Sequence, residues 1–290
     1  MGHADPRDAA LEPYLKRWGL EFVARPPAPG GREPYPGTGD VAFVRRRGQD
    51  LVLKLMPAGT DEARSDLVLA HWDGRGAVRL LERAEGAILI ERAKPGDDLT
   101  GLVQSGRDDE ATLILCQVMA QLNRPSPAGG GFRTVADWGK GFDRNRAAAV
   151  AAGVEAALID RAEGLFFRLC ETQVPPILLH GDLQHYNIVR DAERGWLAID
   201  PKGVLGEPAY ETGALLRNPI ADQALCADTA VIERRAALIV DRLGYDRGRI
   251  LGWCFCQWVL SVLWAIEDGL TFAPDWMAGP NAAAQALDRL

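Results

Sequence analysis

Apolar positions alternate with polar ones in short runs over the first third of the chain and fall into helical periods over the rest. A period of two places alternate side chains on one face of a strand, and a period near 3.6 lines one face of a helix. The alternating runs are Val41 to Arg45, Leu51 to Leu55, Val78 to Leu81 and Ala87 to Glu91. Arg47-Gly48-Gln49-Asp50 separates the first two and predicts a hairpin turn. A helical stretch over 61–72, closed by Asp73-Gly74, lies between the two pairs. Beyond residue 93 helices are predicted over 108–123, 134–148, 154–172, 221–243 and 247–268. Two short apolar strands, Ile177 to Leu179 and Trp196 to Ile199, interrupt this helical part. The pattern predicts an α+β fold in two parts: a small β-rich lobe over 1–93 and a large, mainly helical lobe over 94–290. There is no internal repeat, and Gly129-Gly130-Gly131 between helical stretches is a loop without chemistry of its own.

Composition narrows the class. The chain has 290 residues, 47% hydrophobic and 25% charged, which suits a globular protein of two lobes. The formal net charge of −7 argues against nucleic acid as the main partner and would favour a cationic small molecule. Met1 to Arg17 is charged and has no apolar signal core. The longest apolar stretch, Trp253 to Ile266, is too short to span a bilayer and is broken by Gln257, so it reads as a buried core helix. Five cysteines without framework spacing argue against a disulfide scaffold. The expectation is a cytoplasmic monomer with no membrane partner.

The chemistry concentrates in His180-Gly181-Asp182-Leu183-Gln184-His185-Tyr186-Asn187 and Ala198-Ile199-Asp200. Each of the two short strands leads to an Asp, and an Asn follows the first Asp by five positions. Protein kinases use this spacing for a catalytic Asp and two magnesium ligands, although Gly181 stands where they usually carry Arg. Upstream, Lys54 sits among aliphatic residues in Leu51-Val52-Leu53-Lys54-Leu55, where an ammonium needs an anion. In a kinase that anion is the α/β-phosphate pair of ATP, with a helix carboxylate holding the lysine. Glu62 and Asp66 are four apart on the next helix; Asp66 is the preferred partner, because Glu62 lies near the helix start and would serve its dipole. Pro36-Gly37-Thr38-Gly39-Asp40 is a weak phosphate-covering loop, in which backbone amides and the Thr38 hydroxyl could touch phosphate. Glu91-Arg92-Ala93 occupies the position of a kinase hinge, where the backbone of Glu91 and Ala93 would meet the adenine edge.

Leu179 to Leu183, Ile199-Asp200-Pro201-Lys202-Gly203, Gly206 to Glu211 and Leu215-Leu216-Arg217-Asn218-Pro219 together resemble the aminoglycoside phosphotransferases, and among them the aminoglycoside/hydroxyurea resistance kinases. Trp72 to Leu81, Glu91 to Gly96, and Leu260 to Gly269 add to the resemblance, which runs over roughly residues 35 to 270. It implies a protein-kinase-like bilobal fold that uses ATP and Mg2+ to phosphorylate an aminoglycoside hydroxyl, streptomycin at its 6-hydroxyl being the leading candidate. Under it Asp182 orients the attacking hydroxyl, Asn187 and Asp200 hold magnesium, and Lys54 grips the phosphates. Glu207, Glu211, Glu267 and Asp268 are the acids to test for binding a cationic sugar, each with a surface acid as the plain alternative. Gln184 departs from the His that many members carry, so no proton relay runs through it. A kinase of hydroxyurea or of a metabolic sugar or amine is the second reading; a nucleotide-binding pseudokinase is disfavoured by the intact Lys54, Asp182, Asn187 and Asp200.

Overall fold

In the computed structural model, residues 6–26, 39–126, 131–270 and 275–290 are described. The chain divides into two compact units: residues 1–97 with 189–203, and residues 98–188 with 204–290. The second boundary matters, because the strand pair after the motif Asp returns to the first unit. A single cut at residue 93 therefore misses the piece that carries Asp200.

The first unit begins with α1 (Pro6–Trp18) and then β1 (Glu21–Ala24), β2 (Val41–Arg46) and β3 (Gln49–Leu55). A 3₁₀ turn over Asp61–Arg64 leads into α2 (Ser65–Trp72), and β4 (Leu80–Ala84) and β5 (Ala87–Glu91) follow. The five strands form one antiparallel sheet in the order β1-β2-β3-β5-β4. The β2–β3 hairpin closes through only two residues, Arg47 and Gly48, with φ of 50° and 80°. Such two-residue turns need positive φ at both positions, which suits the twist of the strands. Alternation along β2, β3 and β5 sends Ala42, Val44, Leu51, Leu53, Ala87 and Leu89 to one face, where Leu11 of α1 joins them. Each fully buried leucine there contributes on the order of 2 kcal/mol. The sequence pattern did not predict α1, whose short apolar stripe of Leu11, Tyr14, Leu15 and Trp18 sits among charges. The helix α2 ends at Trp72 as predicted, because Asp73 and Gly74 both take left-handed backbone and Asp73 donates its N–H to Leu69.

The rest of the chain supplies β6 (Pro95–Asp98), α3 (Thr100–Gln104), α4 (Asp108–Leu122), β7 (Arg133–Thr134), α5 (Val135–Ala151), α6 (Ala156–Glu171) and β8 (Ile177–Leu179). Next come β9 (Ile188–Asp191), β10 (Gly195–Ala198), β11 (Val204–Gly206), α7 (Thr212–Leu216), α8 (Gln223–Cys226), α9 (Thr229–Leu243), α10 (Arg247–Glu267) and α11 (Ala278–Asp288). Strands β10, β9 and β6 form one small sheet, and β7, β11 and β8 another. Among the described residues α10 alone is long and apolar enough to cross a membrane, and 72% of that stretch is buried inside the protein. Helices α5, α6, α7 and α11 pack around it. Gly139 and Gly141 let α5 come close, since a Cβ at either would meet the Phe166 ring at 2.6 Å or the Trp264 indole at 2.8 Å. Phe142, Phe166, Tyr210 and Trp253 meet edge to face with centroids 5.0 to 5.5 Å apart. The helix predicted over 221–243 is interrupted: Asp228 accepts from the N–H groups of Ala230 and Val231, caps α9, and separates it from α8. All five cysteines are unpaired thiols.

Candidate active site

The first unit builds a buried ammonium with two acids. Lys54 is only 3% exposed on β3, and its Nζ lies 2.8 Å from Glu62 and 2.8 Å from Asp200. Burial alone would push this lysine's pKa down; the carboxylates, Asp200 ahead of Glu62, outweigh it and raise the pKa overall. Lys54 is therefore a fixed positive charge. Asp66 is not its partner, contrary to the preference drawn from helix position. The α-helix starts at Ser65, so Asp66 is the acid in its first turn and serves the dipole, while its carboxylate faces Arg83 at 3.6 Å. Glu62 sits one turn earlier, in the 3₁₀ segment, and reaches the lysine from there.

Asp200 has a φ of 57°, a left-handed conformation rare outside glycine. The Ser65 hydroxyl donates to the Pro201 carbonyl at 2.6 Å and ties the Asp200 loop to the start of α2. Strain of this sort persists only where surrounding structure enforces it, and it gathers at functional sites. Thr38 lies outside the described residues. Gly39 does not: a Cβ there would fall 1.7 Å from the Leu55 carbonyl oxygen, so only glycine fits against the end of β3. Glu91 proves to be a sheet residue rather than an adenine contact by its N–H, which already donates to Arg79 at 3.0 Å. Its carboxylate accepts from the Arg79 N–H and meets Arg194. Ala93 lies in the connection between β5 and β6.

In the second unit the motif residues from His180 to Asn187 lie in the loop after β8. The Asp182 N–H donates to His180 Nδ1 at 3.2 Å, which puts the proton of a neutral ring on Nε2. The Asn187 amide donates to the Asp182 carbonyl at 2.8 Å and approaches its carboxylate at 3.4 Å. With the NH2 group so engaged, the amide oxygen is the Asn187 atom available to a metal. Gln184 caps the 3₁₀ turn His185–Asn187 by accepting from the Tyr186 N–H at 3.0 Å. Its place in the motif is thus a local backbone role. His185 is fully buried, and burial, helped by Arg235, pushes its pKa down to about 3.

Gly181, at φ 86°, donates its N–H to Glu211 at 2.7 Å. Glu211 is 3% exposed and fixed beside the aromatic core through Tyr210. Burial, with added repulsion from Asp182, pushes its pKa up to about 8 against the Gly181 bond. The Arg217 guanidinium lies 3.5 Å from the Asp182 carboxylate. Among the described residues there is no cluster of three or more His, Cys, Asp or Glu placed for a metal. Magnesium needs none, since it binds through one or two protein oxygens with phosphates and water supplying the rest. Asp200 in the first unit and Asn187 in the second each carry a hard oxygen donor of the type magnesium takes.

The sequence profile of the aminoglycoside/hydroxyurea antibiotic resistance kinases matches residues 33–269. The chain belongs to that family. It is 36% identical to a streptomycin 3''-kinase of Klebsiella pneumoniae over 78% of this chain and 84% of that protein. It is 30% identical to a streptomycin 6-kinase of Streptomyces griseus over 84% of this chain and 80% of that protein. Its fold matches that of a thermostable aminoglycoside phosphotransferase APH(4)-Ia variant, solved with ADP and hygromycin B, with a TM-score of 0.60 at 14% identity over 96% of each chain. This resistance kinase therefore has the protein-kinase-like α+β fold expected from its motifs and is a phosphotransferase.

In this family member two of the acids expected to meet a cationic sugar are buried instead. Glu207 is 2% exposed and bound by Arg249 and the Trp253 indole, and Glu211 supports Gly181. Their pattern in the sequence resembled surface acids only because their partners lie tens of residues away. Glu267 accepts from Arg144 at 2.8 Å and from Asn145 at 2.9 Å, which hold its pKa down. Asp268 closes the C-terminal end of α10 and is exposed. The partner of Lys54, Glu62, was within reach of the sequence; a helix start placed four residues later would have selected it.

Proposed function

We propose that this kinase transfers the γ-phosphoryl group of ATP to a hydroxyl of an aminoglycoside, with streptomycin the leading acceptor and its 6-hydroxyl the leading position. The observation that carries the reading is the pairing of Asp182 with Asn187: an acid whose loop is fixed by an amide that still has its oxygen for a metal. Asp182 orients the hydroxyl and takes its proton. The hydroxyl oxygen forms the new bond to phosphorus while the bridging P–O bond breaks and its electron pair leaves with ADP. Lys54, kept charged by Glu62 and Asp200, grips the α/β-phosphates. Asp200 and Asn187 are the proposed magnesium ligands. Magnesium, when bound, would screen the triphosphate charge.

Chemistry of this kind asks the protein mainly to position groups and to stabilise charge. The acidic balance of the chain, −7, favours a cationic acceptor, and we place the enzyme in the cytoplasm with ATP. Relatives named for the 3'' and for the 6 position are both similar to it, so the position is a question for the product. Hydroxyurea is the second reading, supported by the family's own description.

The test is streptomycin-dependent ADP release from magnesium-ATP, with hydroxyurea and kanamycin alongside and Asp182→Asn as the blank. Phosphorus and proton NMR of the product assigns the hydroxyl. Loss of the base alone should lower the rate by about 10²–10⁴-fold. Turnover in Asp182→Asn within about tenfold of wild type, or no turnover with any acceptor, would sink the reading.

A further inference from the structure

Arg217 is not needed by the roles assigned so far, yet it stands beside the reacting acid. Its Nη2 is 3.5 Å from the Asp182 carboxylate, longer than the 2.7–2.9 Å of a tight charged hydrogen bond. Its Nε is buried and has no hydrogen-bond partner among the described residues. A guanidinium carries five N–H donors in a fixed fork that matches phosphate oxygens. This one is 19% exposed, close to the acid and underused.

The backbone that carries Arg217 is held with unusual firmness. Arg235, fully buried on α9, donates to the Leu215 carbonyl at 3.3 Å and to the Asn218 carbonyl at 2.7 Å, one on each side of Arg217. Asp108 at the start of α4 fixes that buried arginine with both carboxylate oxygens. The Asn218 amide adds a bond to the Ala214 carbonyl at 2.9 Å. A cation on so rigid a mount is placed in advance for charge that appears during a reaction.

We propose that Arg217 is a catalytic residue that clamps the phosphoryl group during its transfer, using its fork on the oxygens of the group that the acceptor hydroxyl, oriented by Asp182, attacks. This rests on the phosphotransferase reading above. In a loose transition state the charge spreads over three equatorial oxygens, and an arginine that meets them can be worth about 10³–10⁵ in rate. As the acceptor oxygen bonds to phosphorus, the bridging oxygen leaves with its electron pair on ADP and the hydroxyl proton passes to Asp182. The guanidinium loses no proton in the step. It leaves Asp182 for the phosphoryl oxygens and returns when the product departs.

The test uses the whole chain with Arg217→Gln and Arg217→Lys. ADP release is measured first in wild type with streptomycin, hydroxyurea and kanamycin; no turnover with any of them defeats the proposed function, and the clamp falls with it. With turnover established, binding of MgADP is measured by calorimetry with the acceptor that turned over, with and without aluminium fluoride as the phosphoryl mimic. Transition-state mimics bind at least about 10²-fold more tightly than ground-state ligands. The wild type should show that tightening, Arg217→Gln should lose it while MgADP alone binds within about twofold of wild type, and Arg217→Lys should keep part of it. A Gln variant that retains the tightening, a wild type that never shows it, or a Gln variant that loses MgADP binding and thermal stability as well would overturn the clamp.

Discussion

The Asn187 amide nitrogen donates at 2.8 Å to the main-chain carbonyl of Asp182 and lies 3.4 Å from the same residue's carboxylate. One side chain thus fixes the loop and approaches the carboxylate proposed to take the hydroxyl proton. Asn187→Asp would keep an oxygen donor for magnesium but replace the amide donor with a second carboxylate next to Asp182. Like charges at that separation drive one of the two pKa values up. The kcat–pH profile should shift its acid limb upward by about one unit or more, lowering kcat most between about pH 4 and 6. An unshifted limb with normal kcat would show that the amide only packs.

Glu62 and Asp66 give opposite expectations despite lying one turn apart. Glu62→Gln removes one of two acids from a buried ammonium, leaving Asp200. Stability should fall by roughly 1–3 kcal/mol, because a buried charge is left partly uncompensated. The KM for magnesium-ATP should rise as the lysine loses a support. Asp66→Asn loses a long contact to a mostly exposed Arg83 and part of a dipole interaction, which should cost under about 1 kcal/mol and leave KM unchanged. Urea titration and initial rates on both variants decide the assignment, and the reverse ranking would restore Asp66.

Legibility followed sequence distance. The hairpin, the end of α2, the buried α10 and the loop from His180 to Asn187 depend on local pattern, and each could be read from neighbouring residues. Partners far apart in sequence could not. Glu207 finds Arg249 across 42 positions, Asp108 finds Arg235 across 127, and Ser65 finds Pro201 across 136. Nothing in the spacing of an isolated Glu says whether an arginine will reach it. The return of residues 189–203 to the first unit was hidden for the same reason, since it depends on β9 pairing with β6.

Glu211 predicts a pH effect with a definite sign. Its pKa rises from an ordinary 4.5 to about 8 on folding, because the buried charge is disfavoured by desolvation first and by Asp182 second. Between those values the folded chain holds a proton that the unfolded chain has released. Its contribution is therefore complete below about pH 4.5 and declines as pH rises toward 8. Glu211→Gln keeps an oxygen for the Gly181 N–H and removes the titration. The difference in thermal midpoint, variant minus wild type, should grow as pH goes from 5 to 8. A difference that is flat with pH would mean that Glu211 stays ionised throughout.

The Asp108–Arg235 pair tests how much a buried ion pair contributes to the mount under Arg217. Arg235 is fully buried and Asp108 nearly so, and the arginine's remaining donors go to backbone carbonyls of 215 and 218. Burial alone would depress the arginine's proton affinity, but Asp108 outweighs it and keeps the cation. Asp108→Ala leaves that cation without its carboxylate and should cost about 3–5 kcal/mol. Replacing both residues by apolar ones of similar volume removes the uncompensated charge and should recover most of this loss, as buried pairs commonly exchange for packing at little net cost. The double variant would still lack the bonds that hold the Leu215 and Asn218 carbonyls on either side of Arg217. It should thus regain stability in urea while its kcat stays low and its MgADP affinity stays normal. Recovery of kcat together with stability would show that packing alone holds the loop.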